Sequence, residues 1–294
     1  MTLSIAHLGP PGTYAEQAAL LYFNWLTKTK DQRATLCPYP SIAQTLQAVA
    51  RGEVKLAVVP VENSIEGSVT MTLDAIWQLD GLQVQLALVM PIVHTLVSCA
   101  QSIEDIKTVY SHPQALAQCQ GWLDRVIPKV QLIPTNSTTE ALLQLEQDPT
   151  AASISSQRAA ELYNLPVLVS GINDYPENHT RFWIVGKNYI PFARPSHLER
   201  ASHTSLAFST SANVPGALAK PLQVFASIGI NLSKIESRPT KRSLGEYLFF
   251  IDLEADLSEA HIESALTEIT PYTEVLKIFG SYNVLPIQEL GNGD

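Results

Sequence analysis

Between Leu3 and Val185, short apolar runs alternate with stretches whose apolar residues recur every three or four positions. No other feature constrains the fold of this chain as much. Leu3–Leu8 reads as a strand, stopped by Gly9-Pro10-Pro11-Gly12. Thr13 is placed to cap the helix that follows, with Glu16 completing a capping box and Ala15, Ala18, Ala19 and Tyr22 at helical spacing. Ile42, Leu46 and Val49 mark a second helix, and Lys55–Val61 is a buried-type strand. The polar stretch Glu62–Gly67 leads into a helix around Met71–Leu79. Further strands are expected at Val84–Val89, Val93–Cys99, Thr108–Ser111, Val130–Pro134, Ala151–Ile154 and Phe182–Val185, with helices near Gln114–Val126, Ser137–Glu146 and Gln157–Tyr163. Such alternation predicts α/β layers with largely parallel strands.

The pattern stops at residue 188. Residues 189–203, with Pro191, Arg194, Pro195 and His197, show no periodicity and read as a linker. Residues 204–283 hold six elements: strand Thr204–Ser209, helix Pro215–Ile228, strands Ile230–Glu236 and Tyr247–Leu253, helix Ser258–Ile269 and strand Glu274–Tyr282. The order βαββαβ is ferredoxin-like. Residues 284–294 are left as a tail.

Composition excludes several function classes. Lysine and arginine number 19 against 28 aspartates and glutamates, a net charge of −9. A nucleic-acid or anionic-membrane partner would need a basic face, so neither is expected, whereas a local pocket for a small anion is allowed. Cys37, Cys99 and Cys119 are too widely spaced for a disulfide framework or a paired metal site, as expected of a reducing compartment. The amino terminus lacks a basic, then apolar, leader, and the apolar run Leu86–Val93 is far below the ~20 residues of a membrane helix. A cytoplasmic protein is expected, with no metal and no cofactor. The prolines of Gly9–Gly12 remove the N–H donors that a dinucleotide phosphate loop uses.

Three segments combine polar chemistry with a functional position. Gly9–Tyr14 is either a plain tight turn or an anion site at a helix N-terminus. Glu62-Asn63-Ser64-Ile65-Glu66-Gly67 follows a buried strand, where α/β sheets bind ligands, and equally fits a capped helix start. In Asn178-His179-Thr180-Arg181-Phe182, Thr180 and Arg181 either bind one anionic ligand together or form a strand-edge pair.

Taken in order, these segments with Ser111–Leu116 (S-H-P-Q-A-L) and Ala152–Tyr163 (A-S-I-S-S-Q-R-A-A-E-L-Y) resemble the motif series of prephenate dehydratase. Pro215–Leu218 (P-G-A-L) and Ile235–Pro239 (I-E-S-R-P) are similar to the effector motifs of the ACT domain that follows it. Ala15 stands where the family often has serine, and Ser153 and Ser155 replace alanines. The resemblance implies a two-lobed catalytic domain over 1–188, like type II periplasmic binding proteins, followed by an ACT regulatory domain over 204–283. It also implies dehydration and decarboxylation of prephenate to phenylpyruvate in L-phenylalanine synthesis. The chain starts on the first dehydratase strand, so the chorismate mutase activity of some members is expected to be absent.

Prephenate carries two carboxylates, and the reaction creates an aromatic ring, so positioning and preorganised hydrogen bonds suffice for catalysis. Thr180 is the expected donor to the departing hydroxyl, at the position of the family's essential threonine. Arg181 and the helix start at Thr13 are the expected carboxylate anchors. Asn63, Ser64 and Gln114 are neutral orienting groups, and Ser111, Ser156 and Phe182 complete the expected cleft. Roles for Glu62, Glu66 and His112 are left open. The effector implied by the resemblance is L-phenylalanine, held by Gly216, Ala217 and Leu218 at a helix start and by Asn231, Glu236 and Ser237 on the neighbouring strand. Such sites form between ACT units of two chains, so a homodimer or homotetramer is implied. Arogenate dehydratase, acting on the amino analogue, and a non-catalytic ligand-binding module are the competing readings.

Overall fold

The computed structural model describes residues 3–30, 32–195, 198, 200–210 and 214–290. The chain begins with β1 (Leu3–Leu8), α1 (Tyr14–Lys30), β2 (Ala34–Tyr39), α2 (Ile42–Ala50), β3 (Leu56–Asn63), β4 (Gly67–Ser68), α3 (Thr70–Gln78) and β5 (Leu82–Pro91). It then crosses into a second lobe: β6 (His94–Ser98), β7 (Thr108–Ser111), α4 (Pro113–Ala117), α5 (Gln120–Val126), β8 (Gln131–Pro134), β9 (Ala151–Ser156), α6 (Gln157–Leu162) and β10 (Val167–Ser170). β11 (His179–Lys187) returns to the first lobe. The C-terminal unit comprises β12 (His203–Thr210), α7 (Ala219–Ser227), β13 (Leu232–Pro239), β14 (Tyr247–Leu253), α8 (Ala260–Ile269) and β15 (Thr273–Tyr282), and β16 (Val284–Pro286) closes the chain.

These strands form three sheets. The first is seven-stranded, in the order β16-β5-β11-β3-β1-β2, with β4 paired to β3. The second runs β10-β6-β9-β7-β8, and the third runs β13-β14-β12-β15, the ferredoxin-like order. The first two sheets are mixed rather than largely parallel: returning β11 runs antiparallel to both β3 and β5, and β6 antiparallel to β9 and β10.

Several elements differ from the expectation. Residues 137–146 form turns and a short 3-10 segment, Leu142–Gln144, instead of a helix. The expected helix Gln114–Val126 breaks at Gln118-Cys119 into α4 and α5. β2 and β10 went unread; β2 contains Pro38, which is tolerated because the strand lies at the sheet edge.

The expected tail is part of the catalytic core. β16 pairs in parallel with β5, and Leu285, Ile287 and Leu290 pack with Leu3, Ile5 and Tyr22. The expected linker is also docked, since Tyr22 donates to the Ala193 carbonyl at 2.7 Å. Ser196, His197 and Glu199 of that linker, and residues 291–294 of the tail, lie outside the described residues.

The third sheet is apolar on both faces. Leu206, Phe208, Ile251 and Leu253 pack under α7 and α8, while Ala207, Leu248, Phe250 and Phe279 join the first lobe's core beside Leu46, Ile76 and Trp183. The two-residue side-chain period of the strands produces this division. Among the described residues, no helix is long and apolar enough to cross a membrane.

Candidate functional site

A cavity of about 890 Å³ lies between the two lobes. Its walls include Thr13, Asn63, Gln114, Thr180 and Phe182, five of the nine residues expected to serve the reaction. The lobes are tied together at its edge. The Ser156 hydroxyl donates to the Gly12 carbonyl at 2.8 Å, and Arg158 forks onto Glu16 at 3.1 and 3.3 Å. The amide of Glu16 is capped by Thr13 as expected, but its carboxylate is committed to the other lobe. Gly12 has a φ of +88°, and a Cβ there would come within 3.0 Å of the Ala159 Cβ. Only glycine allows this turn to meet α6 so closely.

A hydrogen-bonded chain crosses the cavity floor. The Asn63 amide nitrogen reaches Asn178 Oδ1 at 2.8 Å and Thr180 Oγ1 at 2.9 Å, while its oxygen accepts from the amides of Ile65 and Glu66. Asn178 donates to Gln118 Oε1 at 2.8 Å, and Gln118 donates onward to Glu66 at 3.3 Å, which fixes the orientation of the Gln118 amide. His94 Nε2 lies 3.0 Å from that same Gln118 oxygen, which can only accept, so the network assigns the His94 proton to Nε2. Nδ1 lies 3.0 Å from the Tyr14 hydroxyl, whose one proton also has the Val93 carbonyl as an acceptor at 2.9 Å. Burial lowers the His94 pKa, partly opposed by its bond to Gln118, and keeps the ring neutral.

Thr180 Oγ1 therefore accepts from Asn63, and among the described residues its own proton has no acceptor in the protein. That proton is available to a ligand in the cavity. His112 caps α4 by accepting the Gln114 amide at Nδ1, which leaves Nε2 facing away from the cap at the cavity wall.

Four expected residues do not line the cavity. Ser111 is buried and donates to the Ile154 carbonyl at 2.6 Å. Ser64 is bound to the backbone of Glu177 and His179, and Ser156 to Gly12. Arg181 is the main correction. Strand alternation sends its side chain to the opposite face of β11, where the guanidinium meets Asp252 at 2.5 Å and Glu62 at 2.8 Å. Among the described residues, no lysine or arginine lines the cavity. An anion there would meet the N-terminus of α1, the hydroxyls of Ser137, Thr138 and Thr139 and neutral amides, with one carboxylate in the wall, Glu140, which accepts from Asn136. Tyr14 and Asn178 lie in two of the expected segments but carry no expected role of their own, and His94 and Gln118 fall outside them. Gln118 follows Gln114 by one helical turn, a spacing legible in the sequence, whereas His94 had no local signal.

In the C-terminal unit, a pocket of about 410 Å³ is lined by Gly216, Ala217, Leu218, Leu222 and Phe249. Gly216 does not open the helix: it lies in a turn at φ +82°, and α7 starts at Ala219. Asn231, Glu236 and Ser237 do not line this pocket. Ser237 pairs with Phe249, whereas Glu236 pairs with Phe250 on the face toward the first lobe.

A sequence profile for prephenate dehydratase matches residues 5–189, well over half of the chain. The chain belongs to the prephenate dehydratase family. The ACT domain profile matches residues 204–270. Two curated members of the family illustrate its range. The prephenate dehydratase of Lactococcus lactis subsp. cremoris is 34% identical over 98% of this chain and 100% of its own length. The bifunctional chorismate mutase/prephenate dehydratase of Aquifex aeolicus is 39% identical over 98% of this chain and 75% of its own. The crystal structure of prephenate dehydratase from Arthrobacter aurescens in complex with L-Phe superimposes with a TM-score of 0.80 at 33% identity, covering 96% of this chain and 90% of that one. The two-lobed catalytic domain followed by an ACT domain is thus the architecture of the family.

Proposed function

We propose that the inter-lobe cavity of this prephenate dehydratase binds prephenate with its ring hydroxyl against Thr180. One observation carries this placement: the Thr180 oxygen is occupied by the Asn63 amide, so its proton points to whatever fills the cavity. The ring carboxylate leaves as carbon dioxide and its bonding pair enters the ring. The C–O pair leaves with the hydroxyl, which takes up a proton and departs as water. A threonine hydroxyl is too weak an acid to give up its proton, but its hydrogen bond stabilises the charge developing on that oxygen. The α1 N-terminus with Thr13, the hydroxyls of Ser137–Thr139, and Gln114 hold the carboxylates without a cationic side chain.

The pocket beside Gly216–Leu218 takes L-phenylalanine as a feedback effector, with Phe249 and Leu222 as apolar walls. Ile235 and Tyr247, about half exposed on β13 and β14, support pairing of two chains through their ACT domains, as a homodimer or homotetramer. The setting is cytoplasmic. The purified protein supplied with prephenate and arogenate in parallel tests the assignment. Phenylpyruvate should form from prephenate, and L-phenylalanine should suppress it. Phenylalanine formed from arogenate alone would make the protein an arogenate dehydratase, and turnover of neither would leave only a binding module.

A further inference from the structure

Thr180 and Asn63 face each other across β11 and β3, and the next pair in the same register is Arg181 and Glu62. The first pair lies on the cavity floor. The second emerges on the opposite face and meets Asp252 and Lys234 of the ACT sheet, themselves paired across β14 and β13. Two positive and two negative side chains thus converge at the contact between the ACT domain and the first lobe. Three of them are largely sealed, with side-chain exposures of 11% for Arg181, 8% for Lys234 and 4% for Asp252. Asp252 is held from its own sheet by Ser205, whose hydroxyl also meets Tyr282, each at 2.5 Å. Burial opposes the charge on Arg181, but Asp252, Tyr282 and Glu62 more than offset it, so the guanidinium stays charged.

This network is incompletely satisfied. Arg181 Nε and Lys234 Nζ have no hydrogen-bond partner, and Lys234 Nζ stands 3.9 Å from the same Glu62 oxygen that Arg181 holds at 2.8 Å. A buried ionic cluster with open donors has a second arrangement within reach. Lys234 Nζ is thus a second cation about one ångström further from the Glu62 oxygen than Arg181, so a shift of the ACT sheet of that size would bring it into pairing range. The strand register also slips between Arg181 and Phe182, so a pull on Arg181 acts where β11 is already irregular.

We propose that Arg181 is a positioning residue, and that its pairing with Asp252 is the link by which the ACT domain sets the orientation of Thr180 and Asn63. Resting on the function proposed above, this inference adds the route by which the effector reaches the reaction. The test is a double-mutant cycle of Asp252→Asn with Thr180→Val, assayed for prephenate turnover. If Asp252 acts through Thr180, Asp252→Asn lowers kcat about tenfold, with KM nearly unchanged, when Thr180 is present, and less than about twofold in the Thr180→Val background. A purely structural role lowers both backgrounds by the same factor, and that result overturns the proposal. So does an Asp252→Asn variant with wild-type kcat. Lys234→Met serves if Asp252→Asn does not fold. It removes the alternative partner of Glu62 and should raise the half-inhibitory L-phenylalanine concentration about tenfold, with basal kcat and directly measured L-phenylalanine binding nearly unchanged. An unaltered inhibition curve for that variant equally overturns the proposal. A wild-type protein without prephenate turnover refutes the function itself, and so is distinguishable from these outcomes.

Discussion

The two faces of β3 and β11 solve opposite problems with neighbouring residues. Toward the cavity, Asn63 and Thr180 are neutral, and each polar atom is either bonded in a defined direction or aimed at the ligand space. Toward the ACT domain, Glu62 and Arg181 are charged and complete a cluster that leaves two donors open. A dianion in this cavity would meet dipoles and hydroxyls, since Arg158 is held by Glu16 and Arg181 by Asp252 and Glu62. The contrast teaches that charge complementarity read from adjacent letters can assign a cation to the wrong side of a sheet.

The largest effects that can break this contrast come from shortening the chain. Ending the chain after Asn283 removes β16 and the buried side chains of Leu285, Ile287 and Leu290, each worth about 1.5–3 kcal/mol. The product should be insoluble or unfolded by circular dichroism. Cutting at residue 204 should do the same, because it also uncovers the first-lobe surface beneath Leu248, Phe250 and Phe279. A soluble, active fragment would show that the ACT contact is dispensable for folding.

Arg181→Met comes next. It strands Asp252 and Glu62, and the loss of unfolding free energy in urea should be about 3–5 kcal/mol. Arg181→Lys should recover part of it. Were Arg181 instead a substrate anchor, both variants would raise KM with little change in stability.

On the cavity side, Thr180→Val should lower kcat by about 10²–10³ while leaving the thermal midpoint within a few degrees. Near-normal turnover would remove Thr180 from the chemistry and turn attention to His112 or a water.

The smallest effect is titration of His94. Its pKa is lowered in the folded protein, so the unfolded chain binds the proton first. The stabilisation is fully present above about pH 6.5 and is lost as pH falls through the folded value, with a slope of at most about 1.4 kcal/mol per pH unit. His94→Gln should flatten that slope in denaturant titrations between pH 7 and 5. An unchanged slope would assign the dependence to His7 or His203, whose pKa values burial also lowers.

Much of this molecule was readable residue by residue. The strand–helix alternation, the capping of α1 by Thr13 and the βαββαβ order of the ACT domain follow from local periodicity and turn chemistry, which depend on neighbours a few positions away, and the family motifs are short contiguous runs recognised by resemblance. Thr180, Asn63, Gln114 and Phe182, which line the cavity, lie in short segments at strand and helix ends, where α/β folds place their ligands. Tertiary structure decided the rest. Arg181 points away from the cavity because an extended strand alternates its side chains, and it meets Asp252, 71 residues later, on the other face. Ser111 and Ser156 turned inward to satisfy backbone carbonyls, His94 joined Tyr14 and Gln118 only through the lobe crossing, and the last strand returned to the first sheet because β5 had an open edge. The sequence by itself determined which residues could make strands, caps and polar loops. Which face each side chain occupies, and what it meets there, was set by long-range pairing, because burial and hydrogen bonding are properties of the assembled layers and not of any local run of letters.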